Sequence, residues 1–193
     1  MVPLQLTGSA MTLLAVTWLS WLVLEILLVR GGAIGQRSQD AGSMRWMVLC
    51  VVVSFAVGLQ LSRQPDGRIS GDPDTVIWTG LVVLWVGLGL RLLAILWLGR
   101  LFNASVVIQR GHRLVTSGPY RLVRHPSYTG ALIAAVGLGV ALGHWTSVAA
   151  FAVGWLVGLA YRIPVEEAAM RRAFGRQYEE YSARTRRLIP LIF

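Results

Sequence analysis

Apolar residues fall along this chain in five long blocks. Leu13 to Val29 is nearly unbroken, with Glu25 its one charge. Trp46 to Leu61 carries none, and Val76 to Leu98 carries only Arg91. Ser127 to Leu142 and Trp145 to Tyr161 are uncharged. A helix needs about 20 such residues to cross a bilayer, with a range of about 17–25. Three blocks meet that length, and two need flanking residues or local thinning. The pattern predicts an all-α, polytopic membrane protein with about five transmembrane helices in a single domain, 1–193. Three spans occupy 1–98, and the remaining two lie in a polar-rich part, 99–193.

The polar stretches differ in kind. Gln60 to Asp74 is rich in turn residues and gathers no cluster of chemistry. Gly143-His144 leaves room only for a tight helical hairpin. Gly139/Gly143 and Gly154/Gly158 have the small-xxx-small spacing that lets transmembrane helices approach closely. Gly87 and Gly89 sit mid-span and open no helix after a strand, so they form no dinucleotide fingerprint. In the tail, Phe174, Tyr178 and Tyr181 recur at helical spacing among Arg171, Arg172, Arg176, Glu179 and Glu180. This predicts an amphipathic C-terminal helix lying on the membrane or on the protein, ended by Pro190.

Composition narrows the class. Apolar residues make up 55% of the 193 and charged ones only 14%, too few to coat a soluble surface. The first block exceeds a signal-peptide apolar region, lacks a following cleavage site and reads as retained. Cys50 is the single cysteine, so no internal disulfide can form. All 18 basic residues are arginine and the formal net charge is +9. They alternate loop by loop. Arg30, Arg37 and Arg45 mark the first loop, Arg100 to Arg124 the third, and Arg162 to Arg187 the tail. In the second loop Arg63 and Arg68 are offset by Asp66, Asp72 and Asp74. The positive-inside rule puts the N-terminus outside and the C-terminus in the cytosol. Topology and anionic headgroups account for the charge better than nucleic acid does.

The densest chemistry lies between Gly111 and Gly130, where histidines, arginines, tyrosines, glycines and prolines run directly into the fourth span. Gly118-Pro119 marks a turn. His125-Pro126 biases His125 away from helix, and Pro126 suits a first helical turn. The result is a rigid, donor-rich elbow at headgroup level. A second constellation, Arg162-Ile-Pro-Val-Glu166-Glu167, leaves the last span without a spacer. If helix continues past Pro164, Arg162 and Glu166 share a face. A snorkelling arginine beside two acids would explain the same residues without chemistry. Glu25 and Arg91 are ionisable groups inside spans and so candidates by default; a pair between them has no support from spacing.

Four fragments occur here in one order: His112-x-Leu-Val-Thr-x-Gly-x-Tyr120, Arg124-His-Pro-Ser-Tyr-x-Gly130, Arg162-x-x-x-Glu-Glu167, and Phe174-Gly-x-x-Tyr-x-x-Tyr181 with Arg187-x-x-Pro190. Together, over about Phe102 to Pro190, they resemble the isoprenylcysteine carboxyl methyltransferase family, in a short form like that of prokaryotic members. The resemblance implies a plasma-membrane enzyme with a cytosolic active site. It would transfer a methyl group from S-adenosylmethionine to an amphiphilic or lipid-like acceptor. A carboxylate is preferred, with amine and thiol open, since prokaryotic cells generally lack the prenylated cysteine. By resemblance, Gln109, His112, Arg113, Leu114, Val115, Tyr120, His125, Pro126, Ser127, Tyr128, Glu166 and Glu167 hold the cofactor. Arg162 faces the acceptor, and Arg162 and Glu166 are the catalytic pair. No metal and no nucleic acid is implied. Two other readings share some of these features: an NADPH-dependent membrane sterol-type reductase, and a non-enzymatic membrane protein with a vestigial site. The reductases usually carry an acidic residue where Ala131 stands.

Overall fold

The computed structural model describes residues 12–13, 15–21, 42–102 and 114–189. Residues 12–13 and 15–21, at the start of the first apolar block, are helical. Five helices follow: α1 (Ser43–Leu61), α2 (Pro73–Leu98), α3 (Pro126–Ala141), α4 (Trp145–Phe174) and α5 (Arg176–Arg184). Among the described residues there is no strand, only two isolated bridges. By length and composition α1, α2 and α4 can each cross a membrane; α3, with 16 residues, is a shorter apolar helix. Its rise is about 24 Å at 1.5 Å per residue, less than the ~30 Å hydrocarbon core. The chain is an integral membrane protein with a helical membrane-embedded core.

Helix ends follow local chemistry. Asp72 caps α2 by accepting from the Thr75 amide at 2.9 Å, and Pro73 takes the first turn, where its missing N–H costs nothing. At α3 His125 is the non-helical cap, at φ −125° and ψ 57°, and Pro126 opens the helix as its sequence position predicts. α4 runs 30 residues, straight past Pro164, which is exposed. The tail departs from the single helix expected up to Pro190. At Gly175, with φ 50°, the chain turns, α5 begins, and it stops at Arg184. A left-handed turn needs glycine, so the breakpoint is Gly175; Pro190 lies outside the described residues.

The helices pack through small residues. α2 lies against α3 so closely that a Cβ on Gly87 would stand 2.3 Å from the Ala134 amide nitrogen. α1 packs against α4 along a seam that pairs Met47 with Gly158, Ser54 with Gly154, and Gly58 with Phe151. The Ser147 hydroxyl donates to the Gly58 carbonyl at 2.7 Å in the same seam. Without a hydrophobic driving force between helices in lipid, such close dispersion contact holds a bundle together.

The two ends of the bundle are distinct. At one end the 62–72 loop meets the α3–α4 turn. An antiparallel bridge joins Arg68 to His144, and the Ile69 amide donates to the Gly143 carbonyl at 2.9 Å. At the other end lie the start of α1, the entrance of α3, the end of α4 and the tail.

Candidate active site

The elbow before α3 is a short 3-10 turn at Gly118–Arg121 followed by an irregular stretch to His125, bridged at Val123. The tail after α5 lies beside it in parallel. The amides of Arg124 and His125 donate to the carbonyls of Arg186 and Arg187, at 2.7 and 3.0 Å. Thr129 Oγ1 donates to the Leu188 carbonyl at 2.7 Å, and the Leu188 side chain is buried in the core. The Tyr181 hydroxyl donates to the Tyr120 carbonyl at 2.7 Å. The elbow is therefore held by backbone hydrogen bonds and an isolated parallel bridge to a segment of the tail.

Continuity of α4 past Pro164 places Arg162 and Glu166 on one face. Arg162 is 1% exposed, and its Nε and Nη2 both reach Glu166 Oε1 at 3.0 Å. The Tyr128 hydroxyl donates to the same oxygen at 2.6 Å and accepts from Arg162 Nε at 3.1 Å. Glu166 Oε2 faces His125 Nδ1 at 3.5 Å, and the His125 and Tyr128 rings stack with centroids 5.6 Å apart. Arg162 Nη1 donates to Ser43 Oγ, 2.8 Å away at the first residue of α1. Three helices thus meet at one guanidinium.

Glu167 faces the arginines behind this group. It is fully buried, with Arg124 Nε 2.9 Å from Oε1 and Arg187 Nη2 3.1 Å from Oε2. Arg171 is 3.5 Å away from the exposed side. Arg124 also donates through Nη1 to the carbonyls of Ser182 and Thr185, where α5 ends and leaves carbonyls unpaired. Glu167 and Arg124 hence tie α4, the elbow and the tail into one unit. His125 stands between the two acids, its Nε2 3.5 Å from Glu167 Oε1 and without a well-formed hydrogen bond among the described residues. Burial works against charge on His125. The adjacent Glu166 and Glu167 carboxylates outweigh it and raise its pKa above the ordinary 6.5.

Of the residues singled out from sequence, His125, Tyr128, Arg162, Glu166 and Glu167 come together. Leu114 and Val115 are half-buried at the start of the elbow, and Pro126 is buried at the α3 entrance. Tyr120 and Ser127 brace the elbow against α2. The Tyr120 hydroxyl donates to the Ala94 carbonyl at 3.3 Å, and Ser127 Oγ accepts from Arg91 Nη1 at 2.8 Å. That contact gives Arg91 a role the sequence did not indicate. Gln109, His112, Arg113 and Glu25 lie outside the described residues. Sequence reasoning passed over Ser43, Arg124 and Thr129. Arg124 and Arg187 stood within the matched fragments, where their number alone could have suggested a buried acid to receive them; Ser43 carried no signal. Among the described residues no cluster could hold a metal ion.

The fold and this site define a class: a helical membrane protein that gathers a polar site of both charge signs where its helices end. The family model for the isoprenylcysteine carboxyl methyltransferase family matches residues 78–172. A probable protein-S-isoprenylcysteine O-methyltransferase of Oryza sativa subsp. indica is 41% identical over 119 residues, 61% of this chain and 62% of the relative. Protein-S-isoprenylcysteine O-methyltransferase B of Arabidopsis thaliana is 44% identical over 115 residues, 58% of each chain. A solved structure of the eukaryotic intramembrane Ras methyltransferase of this family matches with a TM-score of 0.61 at 29% identity, covering 75% of this chain and 52% of that one. The chain belongs to the isoprenylcysteine carboxyl methyltransferase family. It spans about three-fifths of the length of the plant relatives it matches.

Proposed function

We propose that this protein transfers a methyl group from S-adenosylmethionine to an amphiphilic, lipid-like acceptor at the cytosolic face of the plasma membrane, with a carboxylate as the favoured acceptor. One observation carries the reading: the Arg162–Glu166 pair, one turn apart on α4, meets His125 and Tyr128 from the α3 entrance. A snorkelling arginine would face lipid or water; Arg162 is buried and engaged by three helices. The family matches favour methyl transfer over a reductase.

The residues fit the cofactor. Its amino-acid end carries a carboxylate and an ammonium, so it needs donors and an acceptor together. His125 and Tyr128 supply donors and Glu166 an acceptor, and charge-assisted bonds of this kind are the strong ones. Leu114, Val115, Tyr120, Pro126 and Ser127, with Gln109, His112 and Arg113 of the preceding connector, complete the cradle. When bound, S-adenosylmethionine supplies the methyl group on a sulfonium that leaves as a neutral thioether. A carboxylate acceptor needs no general base. The task of the protein is alignment, and positioning can supply about 7–11 kcal/mol of the barrier. Arg162 would hold the acceptor through its planar guanidinium. Glu167 and Arg124 fix the elbow so that His125 and Tyr128 stay in place.

Calorimetry and label transfer test this reading. Wild-type protein in detergent is expected to bind S-adenosylmethionine and to methylate an amphiphilic carboxylate. Glu166→Gln should weaken cofactor affinity about 10- to 150-fold, the loss of one charged hydrogen bond. Arg162→Lys should bind cofactor nearly as wild type does and turn over poorly, because an ammonium lacks the planar grip. Folded wild-type protein that binds no S-adenosylmethionine would refute the assignment.

A further inference from the structure

α1 and α4 lie antiparallel, with a register that can be read residue by residue. Gly58 meets Phe151 and accepts from Ser147, Ser54 meets Gly154, and Met47 meets Gly158. One further turn along both helices brings Ser43 to Arg162. Glycine at 154 and 158 lets the backbones approach closely. At the end of that seam even the shortest hydroxyl side chain reaches the guanidinium, at 2.8 Å. Ser43 is fully buried at this contact, and Gly42 before it turns the chain into the helix with φ 76°.

Ser43 contributes a neutral acceptor where an acid would be the commoner partner for a buried arginine. The difference matters chemically. A carboxylate at position 43 would add a second acid to the one Arg162 already meets in Glu166 and compete with an anionic acceptor for it. A hydroxyl oxygen fixes the orientation of the guanidinium plane and adds no further counter-charge. Glu166 grips the Nε and Nη2 edge from α4 while Ser43 holds Nη1 from α1, so rotation about the Arg162 side chain is blocked at both ends.

We infer that Ser43 is a positioning residue of the transfer site, holding Arg162 in the orientation in which it aligns an anionic acceptor. The inference rests on the methyltransferase reading above. It assigns a function to a helix 119 residues away in sequence from the arginine it serves. It also makes the α1–α4 seam part of the site.

The test compares wild type, Ser43→Ala and Ser43→Thr, measuring thermal unfolding, S-adenosylmethionine affinity by calorimetry, and steady-state methylation of an amphiphilic carboxylate. Ser43→Ala should unfold and bind cofactor like wild type, while kcat/KM for the acceptor falls about 10- to 100-fold, the scale of a misplaced group. Ser43→Thr, which keeps the hydroxyl, should recover most of that loss. A structural hydroxyl alone would move the unfolding midpoint without separating acceptor from cofactor. The inference is overturned if Ser43→Ala turns over like wild type, or if its defect follows lost stability or cofactor affinity. Failure of Ser43→Thr to improve on Ser43→Ala while remaining folded overturns it as well. If wild type binds no cofactor and transfers no methyl group, the functional reading fails and this inference falls with it.

Discussion

Arg124 and Glu167 lie 43 residues apart in sequence and 2.9 Å apart in space, joining the elbow before α3 to the end of α4. The same guanidinium reaches back to the carbonyls of Ser182 and Thr185 at the end of α5. One ion pair thus carries three segments, and Arg187 adds a fourth contact from the tail. Removing the acid would leave Arg124 buried without its counter-charge. Breaking a buried pair from one side costs about 3–5 kcal/mol, whereas the exposed Arg171 contributes little. Glu167→Gln should therefore lower the unfolding midpoint in detergent far more than Glu180→Gln, which breaks the exposed Arg176–Glu180 pair, does. Equal midpoints for the two variants would contradict this division.

His125 gives the site a pH dependence. Its folded pKa stands above the ordinary 6.5 despite burial, because Glu166 and Glu167 favour the cation. A pKa raised by folding stabilises the folded state in full below the unfolded value. That contribution is lost as pH rises through the folded pKa. The difference in unfolding free energy between wild type and His125→Gln should accordingly shrink as pH climbs above the ordinary 6.5. A difference that stays constant would show that folding does not raise the His125 pKa, and one that grows with pH would show that His125 is held neutral in the folded protein.

Packing of α2 on α3 is tested by two glycines two residues apart. A Cβ at Gly87 would stand 2.3 Å from the Ala134 amide nitrogen, against backbone that cannot move aside. A Cβ at Gly89 meets nothing within 4 Å. Gly87→Ala should destabilise by about 1–3 kcal/mol through overpacking. Gly89→Ala should be neutral or gain up to about 1 kcal/mol of helix stability. Thermal unfolding of both variants in one detergent decides it, and similar midpoints would argue against this helix register.

The proposed orientation rests on arginine alternation combined with the grouping of loops. The 62–72 loop and the α3–α4 turn share one end of the bundle, joined by the Arg68–His144 bridge. The arginine-rich elbow and tail share the other. A cysteine introduced at Asp66 should react with an impermeant thiol reagent from outside the cell, and one at Arg176 only after permeabilisation. Labelling of Asp66→Cys only from the cytosolic side would reverse the proposed topology.

Much of this protein is determined by local properties of its sequence. Unbroken apolar blocks mark membrane helices because lipid leaves backbone polar groups no partner outside the helix. His125-Pro126 sets the entrance of α3 because proline restricts the residue before it. The i, i+4 spacing of Arg162 and Glu166 puts both on one face once α4 passes Pro164, and that passage was the open question. The helix is continuous there, with Pro164 on its exposed face. Other features were decided only by the tertiary structure. Glu166 and Glu167 are neighbours in the chain, yet helical geometry turns one toward His125, Tyr128 and Arg162 and the other into an arginine cluster. The tail hydrogen-bonds the elbow although nothing local links Arg186 to Arg124. Ser43 reaches Arg162 only through the antiparallel register of α1 on α4, which small residues at Gly154 and Gly158 permit. Such pairings rest on which helix faces meet and in what register, a property of the assembled bundle that no stretch of neighbouring residues encodes.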